Sequence, residues 1–323
     1  MNTKTNTPQT LLDAARHFAD PDVCHEYMIS IRWPNGQITC PKCGCDRIGN
    51  ILSRRMLQCK EKGCRKQFST KVGTIFEDSP LGLDKWFVAV WFITNAKNGI
   101  SSHELARSLG VSQKSGWHML HRIRAAMKAK TFRVIEGTIE SDEAFIGGKA
   151  KNMHAHVRRE KINGRGTVDK TVVHGVLERP SDESGTSRVD VAVVPNQKAK
   201  TLQPRIRGKV AKGARVFTDS LASYEGLGDD YAHAMVEHAK GEYVKDGDVH
   251  TNCMENFWAL LKRSLSGTYV SVTPKHLGQY CDEQVFRFNQ RFRTDAGRFE
   301  LAMKSVIGVK LTWKDLVDNG DSR

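Results

Sequence analysis

Four cysteines near the N-terminus constrain the fold more tightly than any other feature of this sequence. They form two pairs, Cys40-Pro-Lys-Cys43 and Cys59-Lys-Glu-Lys-Gly-Cys64, with fifteen residues between the pairs. Paired cysteines at this spacing are typical of a zinc ribbon, in which two tight knuckles supply the four thiolates of a tetrahedral Zn²⁺ site. The segment 48–57 is expected to form the hairpin that brings the two pairs together.

The predicted zinc ion is structural, because a site closed by four thiolates leaves no open coordination position for a substrate. The predicted ligands are Cys40, Cys43, Cys59 and Cys64. The second pair has four intervening residues where two are usual, and Cys45 is an alternative ligand. Disulfides are not expected in a chain of 323 residues that starts without the apolar core of a signal peptide.

Positive charge is concentrated in two blocks of the sequence. The formal net charge is +14, and residues 42–71 hold nine basic and two acidic side chains, while residues 97–133 hold eight basic and one acidic. Such blocks favour a polyanionic partner, nucleic acid first, although a charge run also forms a plain solvated surface. The predicted phosphate contacts of the ribbon are Arg54, Arg55 and Lys66.

The second basic block has the spacing of a helix-turn-helix. Ser101 or Ser102 can cap a first short helix, Gly110 makes a tight turn, and Ser112 caps a second helix. The second helix of such a pair presents its first turns to the major groove of DNA. The residues predicted to contact bases there are Gln113, Lys114, Ser115 and His118. A helical hairpin without a DNA-binding role has a similar pattern.

The C-terminal half alternates strand-like and helical segments. Three strands, a helix, a strand, a helix and a further strand are predicted, which is an RNase H-like layout. The predicted strands cover 137–142, 172–177, 189–194, 215–219 and 233–237, and the first helix covers 198–209. Between the first two strands lies a polar, basic loop, which we expect either to contact DNA or to be plainly solvated. Its predicted DNA contacts are Lys149, Lys151 and Arg158.

The segment 250–267 predicts an amphipathic helix with two distinct stripes. The apolar stripe consists of Met254, Phe257, Trp258, Leu261 and Leu265, which recur at helical spacing. The polar stripe carries Glu255 and Lys262, two turns apart. Glu255 is either a functional carboxylate or half of a capping box with Asn252.

Two aspartates upstream favour the functional interpretation of Glu255. Asp142 and Asp219 each end a strand-like run, and two strand-borne aspartates with a later helix-borne glutamate are the pattern of a carboxylate site for divalent metal. Glu140 and Glu143 are alternatives to Asp142, and Glu140 is the closer one because it shares the strand face.

The ordered motifs resemble those of a known family. They are the zinc ribbon, Gly73-Thr-Ile-Phe-Glu-Asp-Ser-Pro80, the helix-turn-helix, Ser141-Asp-Glu-Ala-Phe-Ile-Gly-Gly-Lys149, His250-Thr-Asn-Cys-Met-Glu-Asn-Phe-Trp258 and Gly267-Thr-Tyr-Val-Ser-Val-Thr-Pro-Lys-His-Leu277. Over roughly residues 10 to 308 the chain resembles a DDE transposase of a bacterial insertion sequence, in the branch that begins with a zinc ribbon. The resemblance implies an RNase H-like catalytic domain and Mg²⁺-dependent cutting and joining of DNA. It places the catalytic carboxylates on Asp142, Asp219 and Glu255 and the downstream lysine on Lys262.

The expected chemistry and organisation follow from this resemblance. Two Mg²⁺ ions would serve an in-line displacement at phosphorus, with Asp142 contacting both and Asp219 and Glu255 one each. Lys262 would hold a phosphate or pair with an acid. The expected domains are a helical segment (1–36), the ribbon (37–73), the helix-turn-helix region (80–131) and the catalytic domain (137–323).

The expected partners are double-stranded DNA, both element ends and target, and further copies of the chain on that DNA. We expect a cytoplasmic location, with the nucleoid as the place of binding, and no membrane segment, since no run of about 18 apolar residues occurs. Two other functions stay open. A zinc-ribbon and helix-turn-helix regulator would leave the acidic residues idle, and a purely hydrolytic RNase H-like nuclease would use them without transferring strands.

Overall fold

The structure, a computed structural model, divides the chain into two units. It describes residues 8–128, 134–148, 156, 159, 170–181, 185–236 and 248–318. The first unit contains the described residues up to 128 together with those from 290 onward, and the second contains the described residues between these limits.

The first unit starts with two short helices and a small three-stranded sheet. The elements are α1 (Leu11–His17), α2 (Pro21–Arg32), β1 (Ile48–Ile51), β2 (Met56–Cys59) and β3 (Gln67–Phe68). Asp20 caps α2 by accepting a hydrogen bond from the Asp22 backbone N–H, and Pro21 occupies the first helical position, where no donor is needed. Strands β1 and β2 pair antiparallel, which confirms the predicted hairpin between the cysteine pairs.

Three helices follow the ribbon in the first unit. They are α3 (Leu83–Asn95), α4 (Ser102–Leu109) and α5 (Gln113–Met127). Ser101 caps α4 and Ser112 caps α5, each accepting a backbone N–H three residues on. Gly110 ends α4 with φ of 61°, the left-handed conformation that glycine adopts most easily. The serines and the glycine thus occupy the roles that the sequence predicts.

A mixed five-stranded sheet forms the centre of the second unit. Its strands are β4 (Thr138–Ile146), β5 (Thr171–Glu178), β6 (Arg188–Val194), β7 (Arg215–Asp219) and β8 (Ala232–Val236). Their order is β6-β5-β4-β7-β8, in which β4, β5 and β6 pair antiparallel and β4, β7 and β8 pair parallel. All five strands were predicted, and β4 continues four residues beyond Asp142. The helix predicted between the fourth and fifth strands is wrong. That segment forms two short 3-10 turns, Ala222–Tyr224 and Leu227–Asp229, separated by Gly226 with φ of 87°.

Helices cover both faces of this sheet. They are α6 (Ala199–Arg207), α7 (Asn252–Ser264) and α8 (Pro274–Asn289). On one face, α7 and α8 bury apolar side chains against β4, β5 and β6, and α6 does the same on the other face. The predicted apolar stripe of α7 is buried throughout. The second unit is therefore a mixed α/β layer structure.

The last segment of the chain packs in the first unit, which corrects the expected extent of the catalytic domain to residue 323. This segment contains α9 (Asp295–Ser305) and α10 (Trp313–Val317). The reason is aromatic packing, because the fully buried Phe299 ring lies 5.5 Å from Phe18 and 5.2 Å from Trp91 between ring centroids. Within the described ranges, no helix is long and apolar enough to cross a membrane.

Candidate functional site

The four predicted zinc ligands meet at one point of the ribbon. The Sγ atoms of Cys40, Cys43, Cys59 and Cys64 all lie within 4.8 Å of one another. Cys40 Sγ is 3.7 Å from Cys64 Sγ, and Cys43 Sγ is 3.6 Å from Cys59 Sγ. A tetrahedron with Zn–S bonds of about 2.3 Å has edges of about 3.8 Å. The donor set therefore fits a structural Zn²⁺.

Cys45 takes a different role from these four. Its sulfur accepts a hydrogen bond from the Arg47 backbone N–H at 3.3 Å. The knuckles themselves turn at Gly44, with φ of 73°, and at Arg65, with φ of 49°, each directly after a ligand cysteine. The wider second knuckle thus closes in the same way as the first, and Cys45 is not needed as a ligand.

The basic ribbon residues lie at the surface. Arg54, Arg55 and Lys66 are all exposed. Arg55 is already engaged, since its Nε donates to Asp22 Oδ1 across to α2. The loop residues Lys149, Lys151 and Arg158 lie outside the described residues, so their predicted DNA contacts stay predictions.

The first turns of α5 are less free than the helix-turn-helix pattern suggests. Gln113 Nε2 donates to Ser102 Oγ at 2.8 Å, which ties it back to α4. The Ser115 hydroxyl lies 2.9 Å from the Ser112 hydroxyl at the helix cap. Gln113 and Ser115, two of the four residues predicted to contact bases, therefore make hydrogen bonds within the helix pair.

The other two contact the C-terminal segment of the same unit. The Trp313 ring centroid lies 4.5 Å from Lys114 Nζ and 5.5 Å from the His118 ring. Lys310 lies 3.7 Å from both Glu77 and Asp78, which helps to hold this segment in place. Burial lowers the pKa of His118, so this ring is neutral at pH 7. Among these four residues, Lys114 is the one that carries a charge for DNA, and it is exposed.

In the second unit, carboxylates from two adjacent parallel strands converge. Asp142 and Glu143 lie in β4, and Asp219 ends the neighbouring β7. Each offers a carboxylate oxygen within 4.8 Å of the other two. Parallel pairing of β4 with β7 brings these positions to the same region of the sheet. Carboxylate oxygens are the protein ligands that Mg²⁺ prefers, so this cluster fits a divalent hard cation.

The surroundings make charge on this cluster unfavourable without a cation. Burial, aided by the charges of Asp219 and Glu255, raises the pKa of Asp142 to about 6, although hydrogen bonds from the Glu143 N–H and Trp258 oppose the shift. Burial also raises the pKa of Glu143 to about 8, aided by the charges of Asp142 and Asp219. The Tyr224 hydroxyl donates to Glu143 Oε1. A bound cation would relieve this repulsion.

Helix α7 contacts the cluster through Trp258. The Trp258 Nε1–H donates to Asp142 Oδ2 at 3.0 Å, and this close approach depends on Gly175, the β5 partner of Asp142. A Cβ at Gly175 would lie 3.0 Å from Trp258 Cζ2. Glu255 and Lys262 lie one turn before and after Trp258 on that side of the helix, and both are exposed.

Glu255 is close enough to raise the pKa of Asp142, but it is not among the three described residues whose oxygens lie within 4.8 Å of one another. The capping-box interpretation of Glu255 is wrong. Helix α7 begins at Asn252 with Thr251 as its N-cap, so Asn252 is inside the helix and is not at the capping position.

Glu140, the expected rival of Asp142, is fully buried and occupied elsewhere. Its Oε1 pairs with Arg179 Nε at 2.6 Å, and its Oε2 accepts the Met254 backbone N–H at 2.8 Å. Glu143 is instead the additional carboxylate that the structure brings to Asp142 and Asp219. Alternation along a strand places the adjacent residues Asp142 and Glu143 on opposite faces, so the sequence pattern does not predict that both join the cluster. The extension of β4 past Asp142 and the hydrogen bond from Tyr224 reveal the position of Glu143.

Comparison with known proteins adds independent evidence. A model of the transposase zinc-ribbon domain matches residues 20–67, and a model of the ISXO2-like transposase domain matches residues 134–289. A protein of Halobacterium salinarum described as "Uncharacterized protein in transposable element ISH50" is 32% identical over 254 residues, which cover 74% of this chain and 81% of that protein. An "Uncharacterized transposase-like protein" of Haemophilus influenzae is 32% identical over 103 residues, 32% of this chain and 81% of its own. No solved structure matches the chain.

A four-cysteine ribbon, an α/β unit with clustered carboxylates and these two domain matches define an insertion-sequence transposase. The chain belongs to the ISXO2-like transposase family, in which a transposase zinc ribbon precedes the transposase domain. The resemblance stated from the motifs is confirmed at this level.

Proposed function

We propose that this transposase binds the terminal inverted repeats of its insertion sequence and catalyses Mg²⁺-dependent DNA cleavage and strand transfer. The observation that carries the proposal is the convergence of the carboxylates of Asp142, Glu143 and Asp219 at the junction of β4 and β7. The strand order, three antiparallel strands followed by two parallel ones on the other side of β4, supports an RNase H-like domain.

Asp142, Asp219 and Glu255 are the proposed ligands of the catalytic Mg²⁺, with Glu143 as a further donor. Bound divalent ions would activate an oxygen nucleophile and stabilise the leaving oxygen of a phosphodiester. Trp258 orients the Asp142 carboxylate by its hydrogen bond, and Tyr224 orients that of Glu143. Lys262 lies on the exposed side of α7, where its ammonium group can hold a DNA phosphate or pair with an acid.

The first unit is the proposed DNA-recognition unit. The zinc held by the four cysteines keeps the ribbon folded, and Arg54, Arg55 and Lys66 contact phosphates. Helices α4 and α5 form the helix-turn-helix, with base contacts from Gln113, Lys114, Ser115 and His118. Binding through many cationic side chains releases counterions, so affinity should fall steeply as salt rises.

The decisive test is cleavage and joining of a labelled terminal-repeat duplex by the full chain in Mg²⁺. Asp142→Asn, Asp219→Asn and Glu255→Gln should retain folding and terminal-repeat binding but lose both activities, because one site serves both displacements. Asp229→Asn, at an exposed aspartate of the same unit, is the matched control and should stay active.

Each alternative gives a distinct result in this assay. Cleavage without joined products would indicate a hydrolytic nuclease, and terminal-repeat binding without any cleavage would indicate a regulator. Full activity in Asp142→Asn or Asp219→Asn would refute the proposed active site. Full activity in Glu255→Gln with loss in Glu143→Gln would transfer the third ligand role to Glu143.

A further inference from the structure

The buried carboxylate of Glu140 joins two elements that carry proposed metal ligands. Glu140 lies two residues before Asp142 on the same face of β4, and its side chain is wholly inaccessible to solvent. Its Oε2 accepts the Met254 N–H at 2.8 Å. Met254 is the third residue of α7, one position before Glu255, so the contact links β4 directly to the first turn of the helix.

This contact provides an acceptor for a backbone N–H group at the N-terminus of α7. The first N–H groups of an α-helix have no partner within the helix, and negative charge at this end is favourable. Among the described residues, the side chain that accepts a hydrogen bond from this N–H of α7 is that of Glu140 and not that of the N-cap residue Thr251. A carboxylate from the sheet thus caps the helix from outside.

Arg179 makes the same connection through a second set of bonds. Its Nε donates to Glu140 Oε1 at 2.6 Å, its Nη1 to the Asp248 carbonyl at 2.8 Å, and its Nη2 to the His250 carbonyl at 2.7 Å. These carbonyls belong to the segment that leads into α7. One planar guanidinium therefore ties β4 and the chain before the helix together, a geometry that a lysine ammonium does not reproduce.

His250 completes the arrangement. Its Nδ1 lies 2.7 Å from Arg179 Nη2, 3.3 Å from the Asn252 backbone nitrogen and 3.4 Å from Glu140 Oε1. His250 therefore contacts Glu140, Arg179 and the first turn of α7.

We propose that Glu140, Arg179 and His250, together the Glu140 clamp, are positioning residues that hold Glu255 of α7 in register with Asp142 of β4. The inference rests on the proposed function, because it assigns the clamp to the assembly of that metal site. It also gives Glu140 a role other than the alternative one of a metal ligand in place of Asp142. The contacts of the Glu140 carboxylate go to Arg179, His250 and the Met254 N–H, all of which place α7. Side chains that orient metal ligands in this way affect metal affinity by about ten- to a hundredfold.

The test compares Glu140→Gln, Arg179→Lys and His250→Gln in the full chain. The readouts are zinc content, terminal-repeat binding, and the Mg²⁺ concentration that gives half-maximal cleavage. We expect unchanged zinc and DNA binding, and a Mg²⁺ requirement raised by about tenfold or more in Glu140→Gln and Arg179→Lys. Hydrogen exchange should accelerate in residues 252–256 of α7 but not in β5, because the clamp acts on the first turn of the helix. This exchange measurement tests the clamp even in a variant without activity.

Three results would overturn the inference. An unchanged Mg²⁺ requirement in both variants, with or without a lower melting temperature, would reduce the clamp to a structural role. Loss of metal response in Glu140→Gln but not in Arg179→Lys would make Glu140 a metal ligand itself. If Asp142→Asn in the same series cleaves as the unaltered chain does, the proposed active site has failed, and the clamp has no metal site to position.

Discussion

The stability of the second unit should improve when Asp142 loses its charge. Burial raises the pKa of Asp142 from 3.8 to about 6. One pH unit of pKa corresponds to about 1.4 kcal/mol, so ionised Asp142 costs the metal-free fold about 3 kcal/mol. The folded state holds the proton more tightly than the unfolded state. The associated stability is therefore fully present below about pH 4 and lost as the pH rises through about 6.

Asp142→Asn should consequently raise the free energy of unfolding at pH 7.5 by up to about 3 kcal/mol in Mg²⁺-free buffer. The variant should also lose the increase in stability that Mg²⁺ gives the unaltered chain, because binding to the folded state alone stabilises it. When the pH is lowered from 7.5 to 5, the free energy of unfolding should increase more for the unaltered chain than for the variant, which has no carboxylate at this position to protonate.

Urea titration of the full chain, followed by hydrogen exchange of peptides from β5, reports on the second unit alone. Asp229→Asn, at an exposed position, should change the unfolding free energy by less than about 0.5 kcal/mol. Two results would refute the claim that the buried, ionised Asp142 carboxylate destabilises the metal-free fold and binds Mg²⁺. One is a lower stability of Asp142→Asn than of the unaltered chain at pH 7.5, and the other is a full stability response of this variant to Mg²⁺.

Three further predictions concern the first unit. Cys40→Ser should lose the zinc and unfold the ribbon, whereas Cys45→Ser should retain about one Zn²⁺ per chain, as measured by metal analysis; equal loss in both would contradict the ligand set. Phe299→Ala should destabilise the first unit by about 3–5 kcal/mol in urea, since the ring is fully buried, and a cost below 1 kcal/mol, a rough threshold, would count against the packing of α9 there. Trp313→Ala should release the exposed Lys114 ammonium from the Trp313 ring and tighten terminal-repeat binding, whereas weaker binding would show that Trp313 is part of the DNA surface.

Local interactions explain why so much could be predicted from the sequence. The zinc ligands were identified because a knuckle is built from a few consecutive residues. The helix pair was identified because Ser101 and Ser112 cap the helices to which they are adjacent, and Gly110 makes its own turn. The strands and the buried face of α7 followed from periodicity, which each segment carries within itself.

The environment of each carboxylate depended on tertiary structure instead. Glu140, Asp142 and Glu143 are close in sequence and alike in chemistry, yet one caps α7, one contacts Trp258 and one receives the Tyr224 hydroxyl. Their partners lie between 81 and 116 positions away along the chain. A side-chain pattern records which face a residue occupies, but not which distant element packs on that face.

The same limit applies to the end of the chain. The apolar stripe of α9 predicts a buried helix, but burial of Phe299 gains the same transfer free energy against any apolar surface. The aromatic rings of Phe18, Tyr27 and Trp91, which surround Phe299, place this helix in the first unit. The sequence alone thus determined the elements, the zinc ligands and the family, because these depend on local spacing and ordered motifs. Tertiary structure decided the partners of each buried group, because non-directional burial and long-range hydrogen bonds leave no local pattern.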